Sequence, residues 1–298
     1  MGFLRGLTLS LLSLLLFLSL SVFGLVFMLN QTVLSPDFIT SQVEKLDFTS
    51  LAKELVIPEF PPEIQNQEFI KEALDKTLTE LEPLIKREAN DFIRRGYDYF
   101  LGESHTLRYT ISLEEPKTTL RDNIWEAFLE NPPPEFEGIP PTLAEPHFDQ
   151  YYDEFAGEIP SSLEFDLSSL DPEVTSQLGL AREIIGYIKI AFWGLIGLMM
   201  VLILSIFLIS LNMKTTSLSL GITFLLYGIF EIVSVIVARA VLIPRLPTGL
   251  PSAMLETWLL EFISEMMTPL LIFGIGVAAA GLALIIASFF LRSGEEAY

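Results

Sequence analysis

The chain contains no cysteine. This absence excludes disulfides, zinc–thiolate sites, iron–sulfur clusters and cysteine nucleophiles. A segment of about 150 residues outside a membrane can bury enough apolar surface to fold without disulfides. An exported domain is therefore compatible with the absence, which favours a prokaryotic protein over an animal extracellular one.

Basic side chains are also scarce, with 18 Lys and Arg against 38 Asp and Glu, so the formal net charge is −20. The imbalance is confined to residues 30–183, which hold 32 acidic and 12 basic side chains. An acidic surface repels nucleic acid and anionic lipid head groups. We therefore expect no nucleic-acid partner.

Motifs that would carry chemistry are missing as well. The sequence contains no G-x-S-x-G, no P-loop, no dinucleotide-binding glycine fingerprint and no H-E-x-x-H. We therefore predict a protein that is not an enzyme and needs no cofactor. A hydrolase that uses paired carboxylates stays open as a third hypothesis, because any acidic domain supplies such pairs, but no motif supports it.

Four long apolar segments dominate the rest of the chain: residues 7–29, 184–211, 218–241 and 269–291. About 20 apolar residues suffice for a helix to cross the hydrocarbon core of a bilayer. The first segment could also be a signal peptide, but its apolar run exceeds the roughly 7–15 residues typical of one. We interpret it as an uncleaved anchor.

Few basic residues are available to orient these spans. With four spans, Arg5, Lys214 and Arg292 lie on one side, which the positive-inside rule assigns to the cytoplasm. Arg239 and Arg245 fall on the opposite side and count against this assignment. Both termini are therefore expected in the cytoplasm of a multi-pass cell-membrane protein, with the acidic segment outside.

The predicted fold is a multi-span α-helical membrane protein. It has four transmembrane helices and a mainly helical extracytoplasmic domain with a small two-stranded β element. The predicted divisions are a cytoplasmic N-terminus 1–6, a first span 7–29, an acidic extracytoplasmic domain 30–183, a second span 184–211, a cytoplasmic turn 212–217, a third span 218–241, an outer loop with an amphipathic helix 242–268, a fourth span 269–291 and a cytoplasmic C-terminus 292–298.

The period of the apolar residues changes along the acidic domain. Residues 65–101 repeat at helical spacing, and Pro83 inside them is expected to kink or split the helix. Residues 107–113 and 162–167 alternate and predict two strands that pair antiparallel. Pro172 begins a helix that meets no breaker before the second span.

The outer loop contains a short amphipathic segment, residues 255–266, with an apolar stripe opposed by Glu256, Glu261 and Glu265. It is too short and too charged to span a bilayer. Docking on the acidic domain is favoured over lying on the membrane, because an acidic face gains nothing from anionic lipid.

Glu231 lies inside the third span, where a carboxylate needs a partner or a water-filled path. Lys189 on the second span is the predicted partner, and Arg239 is the second candidate. The functional interpretation is a proton or cation relay, or a switchable latch. The structural interpretation, an ion pair that fixes helix register, is favoured because no second buried acid accompanies Glu231.

A weak metal candidate consists of His147, Asp149 and Asp153. The two aspartates are one helical turn apart, and carboxylates so arranged could hold calcium. No glycine-bearing loop of alternating acids accompanies them. A solvated helix face is therefore the favoured interpretation.

Small residues recur every four positions along the fourth span, which permits close helix packing. We expect them to pack inside one four-helix bundle, although two overlapping rows leave room for a homo-oligomer as well. The candidates are Gly274, Gly276, Ala278, Ala280 and Ala283.

Two functions remain in competition. The first is a non-enzymatic membrane protein whose extracytoplasmic domain senses, scaffolds or binds another protein. The second is a transport-related protein, a small channel or accessory permease subunit that uses Glu231. Four spans with a large first outer loop are similar, in topology alone, to the cell-division ABC-type permease subunits. In those subunits the charged segment after the second span is the main coupling site to an ATPase. Here residues 212–216 replace that segment, so the coupling site is missing.

Overall fold

The structure is a computed structural model that describes residues 2–55, 68–132, 138–157, 159–210, 212–246 and 249–291. Of residues 2, 3, 68–70, 151, 154 and 155 it describes the backbone alone. The predicted cytoplasmic C-terminus, from Arg292 onward, lies outside the described residues.

The chain divides into two compact units. The first, here called the membrane unit, comprises Met1–Phe38, Glu183–Thr248 and Thr257–Tyr298. The second, here called the acidic unit, comprises Ile39–Arg182 and Gly249–Glu256.

The membrane unit is built from long helices, whose bounds in chain order are α1 (Gly2–Gln31), the first residues of α2 (Pro36–Glu44), most of α7 (Pro172–Ser210), α8 (Met213–Val237), most of α9 (Ala253–Met266) and α10 (Thr268–Phe290). After α8 the helix widens into a π-turn, Ala238–Leu242, and then tightens into a 3₁₀ turn, Ile243–Arg245. Among the described residues four helical segments are long and apolar enough to cross a membrane. This confirms the prediction of a helical protein with four membrane-length segments.

Local sequence sets where two of these helices begin. The Asn212 side chain accepts hydrogen bonds from the backbone amides of Lys214 and Thr215, so it caps the first turn of α8. Asp171 accepts from the amide of Glu173, and Pro172 occupies the first helical position of α7. From there α7 runs without a break to Ser210, as the sequence predicts.

The core of the membrane unit is a cluster of apolar side chains from α1, α7 and α8, with flanking side chains from α10. Ser13 of α1 lies 3.2 Å from Ser219 of α8, and further along both helices Phe17 meets Tyr227 edge to face. These contacts show that α1 and α8 run parallel. The cluster consists of Leu16, Leu20, Leu202, Ile206, Leu220 and Tyr227.

The closest helix packing is between α8 and α10, where glycines bring the two backbones into contact. A Cβ at Gly221 would lie 2.9 Å from the carbonyl oxygen of Gly281, and a Cβ at Gly281 would lie 2.5 Å from the amide nitrogen of Leu225. Small residues at an interface allow this close approach in membrane helices.

The acidic unit is mainly helical. Its elements are α3 (Phe48–Leu55), α4 (Glu68–Phe100), β1 (Arg108–Ser112), α5 (Glu114–Glu130), α6 (Pro141–Gly157) and β2 (Ser162–Asp166), with the remainder of α2, α7 and α9. The two strands pair antiparallel, with Tyr109 opposite Phe165. The predicted two-stranded ribbon is therefore confirmed.

The long helix α4 runs through Pro83 as one helix, which excludes the predicted split, and the predicted kink stays a prediction. Proline removes one backbone hydrogen bond and crowds the preceding turn. Beside it, the Thr49 hydroxyl of α3 donates to Glu82 of α4 at 3.0 Å. Gly102, with φ of +86°, follows its end in a conformation that glycine adopts readily.

Aromatic side chains fasten the helices of the acidic unit. Phe92 of α4 meets Phe165 of β2 edge to face, with ring centroids 5.2 Å apart. Trp125 of α5 packs on Phe148 of α6 at 5.0 Å.

Ser252, which precedes α9, donates a hydrogen bond of 2.6 Å to Glu54 of α3. The predicted amphipathic helix is present as α9, and the surface that its apolar stripe covers stays a prediction.

Candidate functional site

Glu231 is buried on α8, in the middle of a membrane-length segment. Its side chain packs against Gly274 of α10, where a Cβ would lie 3.1 Å from the Cβ of Glu231. The absence of a side chain at Gly274 therefore makes the room that the carboxyl side chain occupies.

Tyr227 lies one helical turn before Glu231 and is 0% exposed. Its hydroxyl points at α1, where a Cβ at Gly24 would lie 2.5 Å from the hydroxyl oxygen. Among the described residues this hydroxyl has no hydrogen-bond partner of good geometry. The Glu231 carboxyl interacts with it along the helix without completing such a bond.

Two basic residues were predicted to neutralise Glu231, Lys189 on α7 and Arg239 in the π-turn that follows α8. Lys189 is exposed on α7. The Nη2 of Arg239 donates to the carbonyl oxygen of Ser264 at 2.8 Å and to the hydroxyl of Thr268 at 2.7 Å. The pairing of Glu231 with Lys189 or Arg239 stays a prediction.

Two participants in this site, Tyr227 and Gly24, were missed by the sequence analysis. The spacing of Tyr227 and Glu231, four residues apart on one helix, is a signal that could have revealed the tyrosine. No signal in the sequence singles out Gly24, because only the packing of α1 on α8 brings it to the tyrosine hydroxyl.

The predicted small-residue rows of α10 occupy different surroundings. Gly274 and Ala278 lie against α8, where a Cβ at Gly228 would be 2.6 Å from the Cβ of Ala278. Gly276 and Ala280 line an apolar cavity of about 280 Å³ together with side chains from α1, α7 and α8. Ala283 is exposed.

The metal candidate lies on α6. Arg121 of α5 donates to the carboxylate of Asp149 at 2.5 and 2.9 Å and also approaches Glu145. Asp149 is therefore ion-paired with Arg121, while His147 and Asp153 are exposed. Across the part of the chain that the structure describes, no three His, Cys, Asp or Glu are grouped to hold a metal ion, so the structure adds no support to this candidate.

The acidic unit contains a surface groove of about 480 Å³ between the end of α4 and strand β1. Two arginines, an aspartate and several hydroxyl groups line it, which sets it apart in a segment dominated by carboxylates. The lining residues are Arg95, Asp98, Ser104, Thr106, Leu107, Arg108, Tyr109 and Thr110.

Arg95 has an unusual environment in this groove. Its guanidinium lies over the ring of Tyr109, 5.3 Å from the centroid, and within the described ranges it forms no ion pair. The Tyr109 hydroxyl donates to Glu88 at 2.7 Å. Burial, with a smaller contribution from Glu88, raises the pKa of Tyr109 to about 12, so the ring is neutral at physiological pH. The arginine charge is therefore held in place without a carboxylate.

Arg108 is fixed differently. Its Nε and Nη2 both reach one carboxylate oxygen of Asp166, on the paired strand, at 2.8 and 2.6 Å. The amide and hydroxyl of Ser168 donate to the other oxygen and, with Arg108, lower the pKa of Asp166 to about 2. The Arg108 side chain remains mostly exposed, so its remaining donors face solvent.

No protein-family model matches this chain, and comparisons with curated proteins and with solved structures give no match.

Proposed function

We propose that this chain is a non-enzymatic integral membrane protein whose residues 30–183 lie outside the cytoplasm and bind another protein. The binding surface is the groove between α4 and β1, and the partner presents an anionic group to it. The observation that supports this proposal is the pair Arg95 and Arg108 in a groove of about 480 Å³ on the acidic unit.

Arginine is suited to this role because its planar guanidinium can bind a carboxylate or phosphate through two parallel hydrogen bonds. Arg95 is stacked on a neutral ring and has no acidic partner within the described residues, so an anion need not displace one. Arg108 is already oriented by Asp166. Both side chains therefore require little reordering on binding.

Asp98 limits what the groove can accept. It lies one turn after Arg95 and also lines the groove. A ligand with several adjacent negative charges would meet repulsion from Asp98 and from the surrounding acidic surface. The groove thus favours a single carboxylate, such as the C-terminus of a peptide, and disfavours nucleic acid.

The test uses the full chain in nanodiscs of zwitterionic lipid and a panel of short peptides with a free or an amidated C-terminus. Calorimetry should detect the free-acid peptides preferentially, and Arg95→Gln should weaken their affinity by about tenfold, the loss of one charged hydrogen bond. Arg87→Gln, an exposed arginine on the same helix, is the matched control and should have little effect. Equal binding of amidated peptides, or equal effects of both variants, would contradict the proposal.

The proposed orientation can be tested directly because the chain contains no cysteine. Thr118→Cys in the acidic unit and Thr215→Cys at the start of α8 are both exposed positions. In intact cells a membrane-impermeant maleimide should label the cysteine at position 118. It should label the cysteine at position 215 only after the cells are permeabilised. The reverse pattern would place the acidic unit in the cytoplasm.

A second candidate function is transport, as a small channel or accessory permease subunit. The observation that favours it is the buried carboxyl of Glu231, because ionisable groups inside membrane bundles often mark ion or proton pathways.

A further inference from the structure

A row of polar side chains runs along α8 at intervals of one helical turn. Ser219, Thr223, Tyr227 and Glu231 are each four residues apart, which corresponds to about 6 Å along the helix axis. Thr223 and Tyr227 are buried, as is Glu231. Ser13 of α1 contributes a further hydroxyl at 3.2 Å from that of Ser219.

The row is open at one end and blocked at the other. The first turn of α8 contains the exposed Thr215, one turn before Ser219. After Glu231 the next position is Val235, which is 2% exposed and apolar. Arg239 lies one turn beyond and is held by Ser264 and Thr268. A row of polar side chains therefore extends from the start of α8 to Glu231, with the Thr223 hydroxyl donating to the carbonyl oxygen of Ser219 at 2.9 Å, and Val235 separates this row from Arg239.

The end of this row contains a polar atom whose bonding is incomplete. A buried hydroxyl without a partner costs about 1–3 kcal/mol, and such a group in a folded protein calls for an explanation such as a bound water or ion. The Tyr227 hydroxyl is such a group among the described residues, and the Glu231 carboxyl lies one turn away. A cation or proton bound by the Glu231 carboxyl would lie beside this hydroxyl.

The surroundings restrict what that species can be. Leu270 and Phe273 of α10 lie beside the Tyr227 hydroxyl at the position of Gly24, and neither side chain offers an oxygen atom. A metal cation such as calcium requires 6–8 oxygen ligands, and the side chains of Tyr227 and Glu231 supply far fewer. A proton requires one.

Few other charged groups bear on this site. Residues 7–29 of α1 and 268–290 of α10 contain no titratable side chain. Outside these two ranges the charged side chains on the bundle elements are Arg5 on α1, Glu173, Arg182, Glu183 and Lys189 on α7, Lys214 in the first turn of α8, and Glu256, Glu261 and Glu265 on α9. Lys214 lies at the start of the polar row, and Arg239 after α8 is engaged by Ser264 and Thr268. The site consists of Tyr227 and Glu231.

We propose that Tyr227 and Glu231 form an intramembrane proton-binding site that is reached from the start of α8 along Ser219 and Thr223. A proton passes from water to a carboxylate oxygen of Glu231 and returns by the same route, so only O–H bonds form and break. Tyr227 is the positioning residue. This inference does not depend on the arginine groove, and either can fail alone.

A hydrophobic carbodiimide tests the proposal, because it modifies carboxyl groups that are protonated in apolar surroundings. The wild-type full chain in nanodiscs is labelled across a pH series, and Glu231 is followed by peptide mass spectrometry. Labelling should fall by about tenfold per pH unit above its midpoint, as expected for one exchanging proton. Tyr227→Phe should move that midpoint by half a unit or more, which a purely structural role would not do. Glu231→Gln should abolish the label, and Glu261→Gln, on α9, should leave it unchanged.

Two results would overturn the proposal. If Glu231 of the folded, monodisperse wild-type protein remains unlabelled at every pH, its carboxyl is sealed and serves packing. If sodium ions slow the labelling at constant pH, a metal cation competes for the carboxylate and the site is not selective for protons. Both results come from the wild-type chain, so the folding of a variant does not affect them.

Discussion

Gly228 of α8 and Ala278 of α10 lie in direct contact, since a Cβ at position 228 would be 2.6 Å from both the Cβ and the amide nitrogen of Ala278. The contact is one of a series in which Gly221 meets Gly281 and Gly274 meets Glu231. Lipid provides no hydrophobic force that would drive helices together, so close backbone packing has to hold this pair. The carboxyl of Glu231 is thus built into the most tightly packed helix pair of the membrane unit.

Enlarging Gly228 should therefore separate the two helices. Gly228→Ala places a methyl group where no space exists, and overpacking of this kind typically costs about 1–3 kcal/mol. Unfolding of the full chain in mixed detergent micelles measures the loss. Gly276→Ala on α10 is the control, because a Cβ there meets no atom within 4 Å. Equal stability of the two variants would contradict the packing described.

Removing the hydroxyl of Tyr227 should not destabilise the protein. Because this oxygen is buried without a good partner among the residues that the structure describes, Tyr227→Phe should be neutral or should stabilise the chain by up to about 1 kcal/mol. The same micelle unfolding experiment measures this. A marked loss of stability in Tyr227→Phe would indicate that the hydroxyl forms a strong hydrogen bond after all.

Asn123 should be essential to the packing of α4 on α5. It is buried and donates to the Thr77 hydroxyl at 3.1 Å and to Glu80 at 3.0 Å. Asn123→Leu leaves both acceptors without this donor, so the free energy of unfolding should fall by about 1–3 kcal/mol. Thermal unfolding of the full chain tests this. Thr118→Ala, at an exposed position of the same helix, should change stability by about 0.5 kcal/mol or less.

The β-ribbon should lose stability in acid through Asp166. Its pKa is about 2, below the ordinary 3.8, because Ser168 and Arg108 bind the charged form. The stabilisation is therefore complete above about pH 4 and is lost as the pH falls towards 2. Asp166→Asn should remove this step from a plot of melting temperature against pH. Glu164→Gln, an exposed carboxylate on the same strand, should keep the step.

Local patterns predicted much of the fold. Alternation of apolar and polar residues is typical of a half-buried strand, so the pattern at 107–113 and 162–167 predicted two strands. Their predicted antiparallel pairing is confirmed. The proline at the start of α7 and the unbroken sequence after it predicted one helix into the second span. At Pro83 the local rule favoured a kink or a split, and the structure excludes the split, since α4 continues through this residue as one helix.

The candidate sites were less accessible to sequence. Glu231 was identified because a carboxyl inside an apolar segment is conspicuous, and the four-residue spacing offered Tyr227 as its neighbour, but the contact with Gly274 depends on the approach of α10. The groove was not predicted. Arg95 and Arg108 are separated by the turn after α4, and neither shows any local pattern.

By itself, then, the sequence determined the number of membrane-length helices, the location of the negative charge and the helix and strand pattern between them. These properties depend on composition and on short-range periodicity. Only the tertiary structure decided that Gly274 packs against Glu231, that the Tyr227 hydroxyl lies against Gly24, and that two arginines line one groove. Such contacts depend on how distant elements rotate and pack against each other, and short-range periodicity contains no information about that.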